Sequence, residues 1–98
     1  MNDENESKGP RLTIAPEVSL GHYANFVTVV HNQHELLLDF ARTLPGRRDI
    51  PVVSRLIMTP FHAKQLLRAL SSNLERYEQA YGKIPDGPAT PKVPGDAN

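Results

Sequence analysis

The sequence predicts an α+β fold: a three-stranded antiparallel meander followed by one long C-terminal helix, assembled as a homo-oligomer. Two apolar stretches, the first rich in aromatic and β-branched residues and the second in leucine, flank a short polar turn, which is typical of a β-hairpin. A third stretch of this kind follows a loop that contains proline and glycine. Residues 60–81 then carry apolar side chains at alternating steps of four and three, which indicates an amphipathic helix.

Both ends of the chain are predicted to lie outside a single domain at residues 12–84. Residues 1–11 are polar and acidic, a composition typical of disorder. Residues 85–98 carry prolines at intervals of three, which matches the polyproline II repeat. We interpret this segment as a stiff unfolded tail, with a ligand for a proline-reading domain as the alternative. Residues 12–20 form either a short edge strand, which would make the meander four-stranded, or a tether.

The first two strands are predicted at residues 23–31 and 35–43. If the loop between them has an even length, odd residues of the first strand lie beside even residues of the second. One side of the sheet, the first face, then carries Val27, Val29, Leu36, Leu38 and Phe40. The other side, the second face, carries Phe26, Val30, Leu37 and Ala41, with Glu35 and Asp39 among them. An odd-length loop would break this grouping.

The third strand is predicted at residues 52–58, directly before the helix at residues 60–81. Thr59 can cap the first turn, Pro60 suits the first helical position, and Gly82 suits the end of the helix. We call the apolar row of this helix the helix stripe, and we expect it to pack on one face of the sheet. The helix stripe consists of Ala63, Leu67, Leu70, Leu74, Tyr77 and Tyr81.

Self-association is predicted because one helix covers only one face, whereas both faces carry large apolar side chains. A second copy is the simplest cover for the other face, and the alternative is that residues 12–20 fold over it. A neighbouring row of the helix, the charge stripe, is basic in its first half and acidic in its second: Lys64, Arg68, Ser71, Glu75 and Glu78. Two antiparallel copies would pair these charges around a two-fold axis near Ser71 and Ser72. The alternative is a solvated polar face.

The composition of the 98-residue chain limits its function. Cysteine is absent, which excludes disulfides and thiolate metal sites. Basic and acidic residues both total 11, so the chain lacks the basic excess of a general polyanion binder. Apolar runs are too short to span a membrane, and the acidic start does not have the pattern of a signal peptide. We therefore expect a cytoplasmic protein without a cofactor and without a membrane partner.

Several polar residues are candidates for a functional site, but none forms a recognised catalytic or metal-binding motif. His31, His34, Glu35 and Asp39 could form a metal or catalytic site, but their spacing matches no strong pattern. Pairing with Arg55 or Arg42 is the simpler role for Asp39. His62 could help to hold an anion at the start of the helix, or it could belong to the capping turn. Arg47 and Arg48 form a basic loop tip, the basis of a nucleic-acid alternative.

Residues 20–84 resemble a family of small prokaryotic proteins known only as a domain of unknown function. The segments that carry the resemblance are YANFV at 23–27, ELLLDF at 35–40, VSR at 53–55 and TPFHAK at 59–64, with His31, Leu67, Leu70, Leu74, Tyr77 and Gly82. The resemblance implies a small soluble protein and transfers no activity. It singles out as polar family positions Asn25, Asp39, Arg55, His62 and Lys64. The order of strands and helix is also similar in outline to the protein-export chaperone fold, which implies assembly but no activity.

The sequence therefore predicts a non-enzymatic, homo-oligomeric interaction module, either an adaptor or a chaperone-like binder of proteins or peptides. Its expected partners are further copies of itself and an unidentified protein. A small metal-binding protein or enzyme and a nucleic-acid accessory protein remain the alternatives.

Overall fold

The computed structural model describes residues 9–87. Predictions for residues 1–8 and 88–98, which include most of the two tails, lie outside the described residues. In chain order the elements are α1 (Pro16–Ser19), β1 (Phe26–His31), β2 (Leu36–Ala41), β3 (Val52–Met58) and α2 (Pro60–Tyr81). The predicted α+β order of three antiparallel strands followed by a long helix is thus confirmed.

The three strands form one antiparallel sheet in the order β1-β2-β3, so β2 is central. Val29 lies opposite Leu38 and Thr28 opposite Asp39, which confirms the predicted grouping into two faces. Between β2 and β3, Asp39 lies opposite Arg55, and the ladder becomes irregular between Phe40 and Ala41.

Asn32 organises the turn between β1 and β2. Its Oδ1 accepts hydrogen bonds from the backbone N–H groups of His34 at 2.8 Å and Glu35 at 3.0 Å. The Asn32 N–H in turn donates to the carbonyl oxygen of Glu35 at 3.1 Å. Asparagine side chains stabilise turns in this way because they bond to backbone groups two or three residues ahead. These hydrogen bonds therefore stabilise a loop of even length. This even length determines on which face of the sheet each side chain of the hairpin lies.

The segment before the sheet is helical, so the alternative of an edge strand at residues 12–20 was wrong. Pro16 begins the four-residue helix α1, and the Ser19 hydroxyl donates to the Pro16 carbonyl oxygen at 2.6 Å. The segment also leaves its large apolar side chains open, with Leu12 103% and Leu20 86% exposed. It therefore does not act as the predicted alternative cover for the second face.

Both ends of α2 lie where the sequence predicts them. Thr59 Oγ1 accepts from the His62 N–H at 3.2 Å, which caps the first turn, and Pro60 follows it. Gly82 ends the helix with φ 103° and ψ 166°, and its N–H donates to the carbonyl oxygen of Glu78 at 2.9 Å. This backbone conformation is essentially restricted to glycine. With 22 residues, α2 is about 33 Å long.

The prediction that the helix stripe packs on the sheet was wrong. No residue of α2 is buried, and Leu67 and Tyr77 are 61% and 50% exposed. Thr59 alone connects β3 to α2, and its φ of −72° and ψ of 159° are extended. An extended one-residue connection carries the chain onward from the end of β3, since a reversal across the sheet needs a longer loop.

The core of the described residues is small. Leu38 on the first face and Ala41 on the second face are the two buried apolar residues, with 7% and 3% of their surfaces exposed. Both belong to the central strand β2, where neighbouring strands cover them from either side. The sheet is therefore held mainly by contacts between its own strands, and each face remains partly open.

Candidate functional site

The helix stripe is the most extended exposed apolar feature of the described residues. Leu67, Leu70, Leu74 and Tyr77 are each about half exposed or more, and Tyr81 is more open still. Burying one such side chain completely is worth about 1.5–3 kcal/mol relative to leaving it in water. Monomeric proteins rarely expose a contiguous row of this kind, so the helix stripe is a candidate interaction surface.

The sheet presents further apolar surface on both sides. On the first face Val27 and Leu56 are 42% and 47% exposed, and on the second face Ile57 is 60% exposed. Within the described residues β1 and β3 are the two edges of the sheet, so each has one row of backbone groups free of a strand partner. The sheet thus offers both apolar side chains and free backbone hydrogen-bonding groups.

A groove of about 620 Å³ lies along the C-terminal half of α2, and we call it the C-terminal groove. It is lined by Asn73, Leu74, Arg76, Tyr77, Tyr81 and Ile84. The Ile84 N–H donates to Glu78 Oε2 at 2.9 Å, which holds the chain after Gly82 beside the helix. The rings of Tyr77 and Tyr81 lie 5.0 Å apart. The groove therefore has an aromatic and aliphatic floor that suits apolar side chains.

The charge stripe is open to solvent along most of its length. Lys64, Arg68 and Glu75 are exposed, whereas Glu78 is partly covered because its carboxylate binds Ile84. Within residues 9–87, the ion pairs involve none of these four side chains. Their charges are therefore available to a partner.

Asp39 forms an ion pair with Arg55, which is one of the two pairings predicted from the sequence. Arg55 Nε donates to Oδ1 at 2.7 Å and Nη2 donates to Oδ2 at 2.8 Å, so the contact is bidentate. Hydrogen bonding from Arg55 lowers the pKa of the Asp39 carboxyl group below its usual value. Arg42 lies instead over the ring of Tyr23, 5.9 Å from its centre.

The Asp39–Arg55 pair makes stability depend on pH in acid. Because the folded-state pKa of Asp39 is depressed, its contribution is fully present above the unfolded-state pKa of about 4 and is lost as pH falls through the folded-state value. We expect Asp39→Asn to be less stable than the wild type at neutral pH, with the difference shrinking in acid. Urea unfolding followed by circular dichroism at several pH values measures this.

Asp49→Asn is the matched control for that experiment. Asp49 also binds an arginine, Arg47, but in a loop where 68% of the aspartate side chain is exposed. The pKa of Asp49 is lowered too, by hydrogen bonds from Arg47 and from the backbone. We expect a smaller effect at neutral pH, since solvent screens an exposed pair. If the free energies of unfolding of Asp39→Asn and of the wild type differed by the same amount at every pH, the stabilising role of the ionised Asp39 carboxylate would be contradicted.

Two further polar family positions support the backbone. Asn25 Oδ1 accepts from the Thr43 N–H at 2.8 Å and its Nδ2 donates to the Thr43 carbonyl oxygen at 3.4 Å, which extends the ladder beyond β1 and β2. His62 Nδ1 lies 2.7 Å from Thr59 Oγ1. This distance is that of a hydrogen bond between the threonine hydroxyl and the imidazole ring, whose direction depends on the tautomer of the ring. The contact favours the capping interpretation of His62 over anion binding.

The structure does not bring the four members of the proposed metal or catalytic set together, although His31 and Glu35 line one small pocket at the turn. Asp39 is bound to Arg55 on the second face, whereas His31 lies opposite Leu36 on the first face. His34 lies in the turn that Asn32 organises. Across residues 9–87, no three histidine or acidic side chains are placed to share a metal ion.

The basic loop tip offers one free arginine rather than two. Arg47 donates to both carboxylate oxygens of Asp49, at 3.0 Å and 2.7 Å. Arg48 remains as the cation of the loop, and a single exposed arginine is a weak basis for a nucleic-acid groove.

Comparison with known proteins connects the chain to a family but not to an activity. A family model described as "Protein of unknown function (DUF3467)" matches residues 1–86. No curated protein and no solved structure matches the chain. The predicted resemblance to a family of unknown function is confirmed. Neither helix in the described part of the chain has the length and apolarity required to cross a membrane.

Proposed function

Because the chain belongs to the DUF3467 family, whose function is unknown, we propose a function from its exposed surfaces: a non-enzymatic, homo-oligomeric module that binds other proteins or peptides. The observation that carries this proposal is the exposure of the helix stripe together with both faces of the sheet. The cytoplasmic setting expected from the sequence is part of this proposal.

The small size of the core supports the proposed assembly. Ordering the backbone costs about 1–2 kcal/mol per residue, and folded domains repay this mainly by burying apolar surface. One copy buries two apolar residues within its described part and leaves the apolar sides of α2 and of the sheet in contact with water. Pairing of copies would bury this surface without any new sequence element.

Binding of other proteins is supported by the free edges of the sheet. Edge strands recruit extended peptides, because an added strand completes the backbone hydrogen bonds and its alternate side chains contact the sheet faces. β3 offers a seven-residue edge that carries the exposed side chains of Leu56 and Ile57. An extended peptide rich in β-branched residues is the partner class that this edge fits. No observation favours the metal, enzymatic or nucleic-acid alternatives.

Sedimentation velocity of the full chain at micromolar concentrations tests the assembly. We expect the mass of a dimer or a larger oligomer, and a monomer mass throughout would overturn the proposal. Peptide binding is tested in the same buffer by fluorescence anisotropy with a labelled peptide of alternating valine and threonine. A peptide with proline at alternate positions is the control, because proline removes the ladder donors. Equal binding of the two peptides would contradict recognition at the sheet edge.

A further inference from the structure

We propose that α2 pairs antiparallel with α2 of a second copy, with the helix stripe as the contact and the two-fold axis at the level of residue 72. This inference rests on the proposed self-association and specifies the surface and the register that it uses. The helix stripe is available for this role because the sheet of its own copy does not cover it.

The spacing of the helix stripe matches a coiled-coil contact. Alternating steps of four and three residues keep apolar side chains on the side that faces a second helix. With the axis at the level of residue 72, Leu70 lies opposite Leu74 of the second copy, and Leu67 lies opposite Tyr77. Ala63 then lies opposite Tyr81, so the smallest side chain of the stripe meets one of its two tyrosines. Such alternation of large and small side chains lets facing rows interdigitate.

The charge stripe agrees with the same register. Lys64 lies beside Glu78 of the second copy at the flank of the contact, and Arg68 and Glu75 approach each other further round the helix. Ser71 lies close to the axis beside the contact, whereas Ser72 is on the far side of the helix.

Within a single helix, the same charges are placed unfavourably. Lys64 and Arg68 are four residues apart and Glu75 and Glu78 three apart, spacings at which like charges repel. The basic half also comes first and the acidic half last, which opposes the helix dipole. An antiparallel pair sets each basic half against an acidic half, whereas a parallel pair would set like charges against each other.

In this arrangement the helix of the second copy fills the C-terminal groove. Its floor of Leu74, Tyr77 and Tyr81 lies opposite the start of the second helix. The side chains that would enter it include Ala63 and Leu67 of the second copy. Because the antiparallel arrangement places the start of one helix beside the end of the other, both copies fill their grooves at once.

A charge exchange tests the register. We expect Lys64→Glu with Arg68→Glu to raise the dissociation constant at least tenfold in sedimentation, because four acidic groups then line each helix. Adding Glu75→Lys and Glu78→Lys should restore assembly. Glu78→Gln alone is the control for the Ile84 contact, since it keeps an acceptor while removing the charge. Unchanged assembly of the first variant would overturn the antiparallel register while leaving self-association intact.

A cross-linking experiment measures the register directly, because the chain has no cysteine of its own. Chains with Leu70→Cys are mixed in equal amounts with chains with Leu74→Cys and oxidised. We expect disulfides mainly between the two kinds of chain, detected by mass spectrometry. Disulfides that form mainly between identical chains would indicate a parallel pair. If the chains assemble but disulfides between the two kinds of chain are not enriched over those between identical chains, the contact is made through the sheet. Either result overturns the proposal, whereas a monomeric wild type would overturn the proposed function itself.

Discussion

Substitution of Leu38 by alanine is expected to lower the free energy of unfolding by about 2–5 kcal/mol, the usual cost of a buried leucine-to-alanine change. Leu38 is 7% exposed and lies on the central strand between Val29 and Leu56. Within residues 9–87 no residue of α2 is buried, so this helix is not packed on the sheet closely enough to collapse into the cavity. A loss of this size is a large fraction of the stability of a domain of this length.

Leu56→Ala is the matched control for Leu38→Ala. Leu56 is the cross-strand neighbour of Leu38 on β3, and 47% of its surface is exposed. The same change there should cost only about 1 kcal/mol, because about half of the side chain already contacts water. Urea unfolding followed by far-UV circular dichroism measures both variants, since the chain has no tryptophan. Equal losses would contradict Leu38 as the central core residue of a single copy.

Leu70→Asp is expected to raise the dissociation constant of the assembly at least a hundredfold. In the proposed contact the new carboxylate lies opposite Leu74 of the second copy, within a helix stripe that contains no basic residue. An unpaired charge in such a contact costs about 3–5 kcal/mol, and each 1.4 kcal/mol is a factor of ten in affinity. The fold of a single copy should survive, because the Leu70 side chain is already 53% exposed.

Ser72→Asp provides the control for Leu70→Asp. It adds the same charge to the same part of α2, but on the side of the helix that faces away from the contact. Ser72 already receives a hydrogen bond from Arg76 at 3.2 Å, so an aspartate there has a cation within reach. Sedimentation should show weakened assembly for Leu70→Asp and normal assembly for Ser72→Asp. Similar assembly of both variants would rule out the helix stripe as the contact.

Local features of the fold were predictable because each depends on a few adjacent residues. The limits of α2 follow from Thr59, Pro60 and Gly82, whose conformational preferences act within one turn. The Asp39–Arg55 pair could be anticipated, since the alternation of strands places the two residues on the same face. The sequence alone does not distinguish Arg42 from Arg55 as the partner of Asp39, because that choice depends on the register of the sheet.

Other parts of the site were not predictable because they depend on where distant segments lie. Asn25 bonds to Thr43, a residue far along the chain, and sequence periodicity does not reveal such a contact. Asn32 could have been recognised as the organiser of the turn, since asparagine before two polar residues is a turn signal. The C-terminal groove was not foreseen, because it forms only where Ile84 returns beside the helix.

The sequence alone determined the order of the strands and helix, the limits of the helix and the two apolar faces of the sheet, because these follow from short-range geometry and side-chain alternation. Only the tertiary structure decided what the helix stripe contacts. Amphipathic spacing requires that a helix bury one side but does not say against what. Only one extended residue joins β3 to α2, which leaves no loop for the helix to fold back across its own sheet, and the apolar side of the helix is exposed. The helix that best defines the fold is therefore also the surface with which we expect the chain to assemble.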